Sequence, residues 1–121
     1  MNKRAGFLAD RIEQGAATLG SFAEGLNDAE WRTVVPGDGR TVGVTVHHVA
    51  NMYPIEVQLA QVLAAGKPIE GVTWAAVADI NAKHAQEHAS VTKAEAATPC
   101  TRWRARSPRS RSTTAASPST R

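Results

Sequence analysis

The sequence predicts an all-α protein: two long helices and a shorter third, packed as a bundle, with a disordered C-terminal tail. Three observations carry this. Apolar residues return at steps of three and four through residues 8–26 and again through 45–62, the period of one helix face. Residues able to cap a helix open the later segments. No stretch shows the strict alternation that a half-buried strand requires.

In the first helix Leu8, Ile12, Gly15, Leu19, Phe22 and Leu26 form the apolar stripe, while Asp10, Arg11, Glu13, Gln14 and Glu24 fall off it. NDAEW (27–31) follows, and Asn27 with Glu30 three residues on is the pattern of a capped short turn. VVPGDGR (34–40) is a loop on its proline and two glycines. Thr41 caps a second helix that runs to about Ala65 and is ended by Gly66 and Pro68. Its inner face reads Thr45, His48, Met52, Ile55, Leu59 and Val62. Pro54 removes one backbone donor and crowds the preceding turn, so a kink is expected there. Thr73 caps the third helix, TWAAVADINAKHAQEHA. Trp31 and Trp74 are expected in the core or at a bundle end. Thr92 with Glu95 is a further capping box, yet no apolar period follows it before TPC. Amphipathic helices of this length need a partner for each inner face, which points to a bundle.

At 121 residues the chain has room for one domain. Its overall charge of +3 hides a division. Residues 1–96 carry eight Lys/Arg against all eleven acids, whereas residues 97–121 carry six Arg and no acid. The expected organisation is a helical domain over 1–96 and a disordered Arg/Ser/Thr/Pro-rich tail over 97–121, too poor in apolar residues to offset its ordering entropy. Cys100 is the only cysteine, which excludes an intrachain disulfide and a Cys-based zinc cluster. No run has the length of a signal peptide or membrane span, so a soluble, cytoplasmic protein with no membrane partner is expected.

The tail admits three readings. Six arginines around Trp103 would bind phosphates in a salt-sensitive, sequence-independent way. A disordered tail without a ligand is the second. The third, and the preferred one, is an out-of-frame C-terminus, a frameshift. GC-rich coding DNA read in the wrong frame yields this mix of Arg, Ser, Pro, Thr and Ala. With GC-ending codons assumed, a shifted frame turns ATPCTRWRAR into an amphipathic helix where the Thr92–Glu95 box announces one. Nucleic acid is therefore not the expected partner.

Four histidines carry the candidate chemistry. His48 lies on the inner stripe of the second helix, and His47 is rotated about 100° from it. A core-facing imidazole needs a hydrogen-bond partner or a metal. His84 and His88 stand at i and i+4, so both rings can approach one ion from one helix face. A three-histidine site with His48 requires the third helix to dock across the second. The alternatives are a satisfied core histidine at 48 and a solvated helix face at 84–88. Asp79 and Glu87 are read as solvated-face charges. PGDGR lacks the pattern and context of a phosphate loop.

The stretch LNDAEWRTVVPGDGRTVGVTVHHVANMY, with WAAVADINAKHA after it, resembles the N-terminal half of the DinB-like family. That family includes mycothiol-dependent maleylpyruvate isomerases and related thiol S-transferases. The resemblance covers residues 5–96 and implies a four-helix bundle holding a divalent metal, zinc or nickel. VHHVA (46–50) matches the family's second-helix ligand segment and makes His48 the matching ligand. The family's remaining ligands belong to a last helix that has no counterpart here, and HAQEH sits in a different helix. An incomplete, truncated bundle is thus expected, a fragment of a DinB-like metal-binding protein that is inactive as written and binds no cofactor stably. The resemblance implies thiol-dependent transferase or isomerase chemistry, or metal-dependent hydrolysis, on a small-molecule substrate, with mycothiol as a thiol cofactor. Uncovered helix faces are expected to pair as a homodimer. The rival readings are a non-catalytic helical interaction module, an intact metal enzyme built on His48, His84 and His88, and nucleic-acid binding through the tail.

Overall fold

The computed structural model describes residues 3–97. The tail with Cys100 and Trp103, and every reading attached to it, lies outside the described residues. The fold is all-α. Its elements are α1 (Lys3–Gly25), α2 (Asp28–Arg32), α3 (Val42–Ala64) and α4 (Trp74–Glu87), followed by a helical segment over 93–97, here α5. Among the described residues there is no strand, only an isolated antiparallel bridge between Val34 and Thr41. No helix among them is long and apolar enough to cross a membrane.

Local chemistry sets the boundaries. Asn27 closes a reciprocal box at the start of α2: its side chain accepts from the Glu30 N–H at 2.9 Å, and its own N–H donates to Glu30 Oε2 at 2.8 Å. Thr41 and Thr73 accept from the N–H groups of Val44 and Ala76 and so cap α3 and α4. The end of α3 is a Schellman motif, with Lys67 N–H on the Val62 carbonyl and Gly66 N–H on Leu63. Gly66 has φ 72° there, a conformation that costs other residues a steric penalty. α3 continues through Pro54 as one helix. The Thr92–Glu95 box is formed, with Thr92 N–H donating to Glu95 Oε2 at 2.8 Å. Unlike the sequence expectation, a helical segment does follow it, over 93–97.

The core is small and centres on Trp31. Ala23, Trp31, Val44, Val46, Val91 and Ala96 pack together, with Leu19, Leu26, Val42 and Ala85 against them. Trp31 is 6 % exposed, and its Nε1 donates to the Val91 carbonyl at 2.8 Å. That bond ties α2 to the turn after α4. α3 passes over the indole at Gly43, where an added Cβ would collide with the ring.

Which faces are buried differs from the periodicity. In α1 the buried residues are Ala16 and Ala23, while Leu8, Ile12 and Phe22 of the predicted stripe are exposed, Phe22 by 54 %. In α3 the buried set is Gly43, Val44, Val46, His47 and Ala50, and Ile55 of the predicted stripe is exposed. The buried positions of α1 are both alanines, and those of α3 include Gly43 and Ala50 beside Val44, Val46 and His47, so the largest apolar side chains of the predicted stripes are not the buried ones. Trp74, the first residue of α4, is exposed.

Candidate metal centre

The one-residue offset in α3 decides which histidine faces inward. The buried spacing Gly43–His47–Ala50 points His47 at the interior, 6 % exposed, and leaves His48 half-buried beside it. His84 comes from the last turn of α4, and His88 is its C-cap, with its N–H still on the His84 carbonyl at 3.0 Å. The i, i+4 relation therefore survives the end of the helix.

His47, His84 and His88 each offer a ring nitrogen, and these atoms lie within 4.8 Å of one another. His47 Nδ1 and His84 Nε2 are 2.9 Å apart. The rings of His47 and His88 are 4.2 Å apart between centroids, and those of His84 and His88 are 4.6 Å apart. Asn51, one turn on from His47, brings its Nδ2 to 3.4 Å from the His47 Nε2. His48 stands outside this group of three, its ring edge-on to His84 at 5.1 Å. Of the sequence candidates, the structure brings His84 and His88 together with His47, and it sets the His48 ring in edge contact with His84. His47 carried little signal in the sequence, because the small residues that share its buried face, Gly43 and Ala50, weigh little in an apolar period.

Burial, helped by neighbouring charges, holds His47, His48 and His84 below the ordinary histidine range. Burial lowers His84 to about 4, reinforced by His88, His47, His48 and Arg40. His47 is lowered by burial and then by His88, against an opposing pull from Glu95. His48 is lowered by burial and by Arg40, with Asp38 acting the other way. Neutral imidazole is the form that ligates a metal.

Three carboxylates stand near the histidines: Glu95 and Glu87 on a shared cavity, and Asp38, which acts on His48. Glu95 is held by Thr92 through Oε2, and it lines a cavity of about 350 Å³ together with His47, His88, Glu87, Gln86 and Ser90. Asp38 belongs to the 34–41 loop, where Arg40 donates to it through Nε at 2.6 Å and Nη2 at 2.7 Å. This fork holds the Asp38 carboxyl down at about 2.

These shifts fix a pH dependence. The unfolded histidines take up protons near pH 6.5, whereas His84 in the folded chain does so only near 4. The stability owed to neutral His84 is therefore complete above about pH 6.5 and is lost as pH falls toward 4. Asp38 acts in the same direction but lower, between its ordinary value and about 2. Thermal midpoints of the metal-free chain, followed by circular dichroism with chelator present, should fall steadily from pH 7 to 4.5. A midpoint that stays flat or rises over that interval would contradict a neutral His84.

The residues suit a divalent ion. Three imidazoles with one position left open is a known catalytic zinc donor set. With bonds of about 2.0–2.1 Å, tetrahedral ligand nitrogens stand roughly 3.3 Å apart, so His47 and His84 at 2.9 Å would separate slightly and the wider pairs of the group, up to 4.8 Å, would draw in around the ion. His47, His84 and His88 lie close enough to hold an ion, whereas the sequence offered His48 as the ligand with His84 and His88 as alternatives. Comparison of the chain with protein-family models, with curated proteins and with solved structures gives no match, so the DinB-like resemblance rests on the sequence stretches that carry it.

Proposed function

We propose that the chain is a metal-binding helical protein of DinB-like type, in which His47, His84 and His88 hold one zinc or nickel ion. The observation that carries this reading is the convergence of three ring nitrogens within 4.8 Å from two helices. A divalent ion with an open position acts as a Lewis acid toward a coordinated water or thiol, the chemistry of the thiol-dependent transferases and metal-dependent hydrolases that the sequence resembles.

The chain's own residues supply the rest. Asn51 and the packing of α3 set the ring of His47. The cavity beside His47 and His88 receives a small-molecule substrate. Glu95 accepts both Thr92 donors on Oε2, and in this reading its Oε1 is the cavity's proton acceptor. Glu95 is anchored by its cap, so it stays on the cavity wall without a further ordering cost.

Calorimetric titration of the full-length chain with zinc, and separately with nickel, at pH 7.5 should give one ion per chain with a Kd below about 1 μM, near −8 kcal/mol. Heats no larger than those of dilution for both ions would remove the reading.

A further inference from the structure

A second cavity, of about 530 Å³, opens where α2, the start of α3 and the turn before α5 come together. It shares the 89–91 turn with the metal-side cavity but is lined by none of the histidines. Its size is that of a small-molecule pocket. Trp31 forms part of its wall, and the bond from the indole to the Val91 carbonyl holds α2 against the turn.

The charge of this cavity is opposite to that of the domain around it. Residues 1–96 carry eight Lys/Arg against eleven acids, yet the cavity is lined by Arg32 and Lys93 against Asp28 alone. Among the described residues Arg32 makes no ion pair, although Asp28 stands one turn before it on α2. Lys93 is held in place, its Nζ donating to the Leu26 carbonyl at 2.5 Å. An ammonium has three donors, so that bond fixes the charge without exhausting it.

Hydroxyls complete the lining. Thr41 Oγ1 accepts from the Val44 N–H, which leaves its own proton to be donated. Ser90 lies on the wall as well, whereas the Thr92 hydroxyl is committed to Glu95. Donors therefore outnumber acceptors in this space. Arg32 offers a planar fork that matches two oxygens of a carboxylate or phosphate, and Lys93 adds a second positive charge. Asp28 is the exception, an acceptor suited to a hydroxyl or amine.

We propose that this cavity binds a small-molecule acid, a carboxylate or phosphate ester that also carries a hydroxyl or amine. The acid group is taken by Arg32, Lys93 and the Ser90 hydroxyl, and the hydroxyl or amine donates to Asp28. The site is separate from the histidine group and does not rest on the metal reading.

The test uses the isotope-labelled full-length chain, stripped of metal on a chelating resin so that no acid can bind through an ion. It is titrated at low salt with glycerate, glycerol phosphate and glycerol, which share hydroxyls and differ in the acid group. One of the acids should move the Trp31 indole and the Arg32, Ser90 and Lys93 amide resonances along a single saturation curve. The Kd should lie below about 1 mM, and glycerol should move none of these resonances. The tighter acid tells a carboxylate ligand from a phosphate ester. Arg32→Gln should weaken binding roughly tenfold or more; Arg32 is exposed, so the core does not depend on it. Lys83→Gln removes the same charge from α4, away from the cavity, and should leave the Kd within about twofold. Equal weakening by the two variants means diffuse attraction of charge and overturns the site. So do resonances that neither acid moves at roughly 10 mM, or that glycerol moves equally well. Should Arg32→Gln fail to fold, magnetisation transfer from the bound acid to the Thr41 and Thr92 methyl groups of the native chain decides, and its absence refutes the site.

Discussion

If the proposed site holds zinc, replacing His84 with alanine should lower zinc affinity by roughly 100-fold, while the same change at His48 should lower it less than threefold. The first figure follows from ligand arithmetic. A structural zinc site binds with about 10–16 kcal/mol spread over four ligands, so one imidazole is worth roughly 3 kcal/mol. His84 Nε2 stands 2.9 Å from His47 Nδ1 and belongs to the group of three. His48 is outside that group and meets His84 in an edge contact, with ring centroids 5.1 Å apart. Chelator competition on both variants, with thermal unfolding of each metal-free chain as a folding check, reads the difference. A loss at His48→Ala as large as that at His84→Ala would mean that α3 turns its other histidine to the ion, and the group of three would have to be redrawn. The comparison is sharp because the two candidate faces of α3 differ by a single residue.

That single residue also marks where sequence reasoning stops. Capping at Asn27, Thr41, Thr73 and Thr92 was legible because each cap is a local hydrogen bond between residues three positions apart. The end of α3 at Gly66 was legible for the same reason. The buried faces were not. Periodicity weighs large apolar residues, which favours the stripe with Ile12, Phe22, His48 and Ile55. The buried positions instead include Ala16, Ala23, Gly43 and Ala50. A small residue on a helix carries little hydrophobic signal but permits close packing, and that consequence appears only when a second helix is present. The His84–His88 pair was visible from its spacing, whereas its alliance with His47 depends on where α4 lies against α3. Arg40 offered no signal at all, since its position depends on the path of a loop.

Replacing Trp31 with alanine should cost about 3–5 kcal/mol of stability, a large share of the 5–15 kcal/mol typical of a whole domain. The indole is the centre of the core, 6 % exposed, in contact with elements from both halves of the described chain. Its loss also leaves the Val91 carbonyl without the donor that it now has at 2.8 Å. Val91 lies between His88 and Glu95, so the turn that sets both loosens, and metal affinity should fall along with stability. Two milder changes separate the causes. Trp31→Phe keeps an aromatic ring and removes the Nε1 donor, for roughly 1–3 kcal/mol. Gly43→Ala adds a methyl where the indole leaves no room, for about 1–3 kcal/mol of overpacking. In the double variant the smaller phenyl ring makes space for that methyl, so the two penalties should sum to less than their separate values. Urea unfolding of the four chains measures this directly. Strict additivity would show that Gly43 and the indole do not share the contact, and that the Trp31-centred account of the core is wrong.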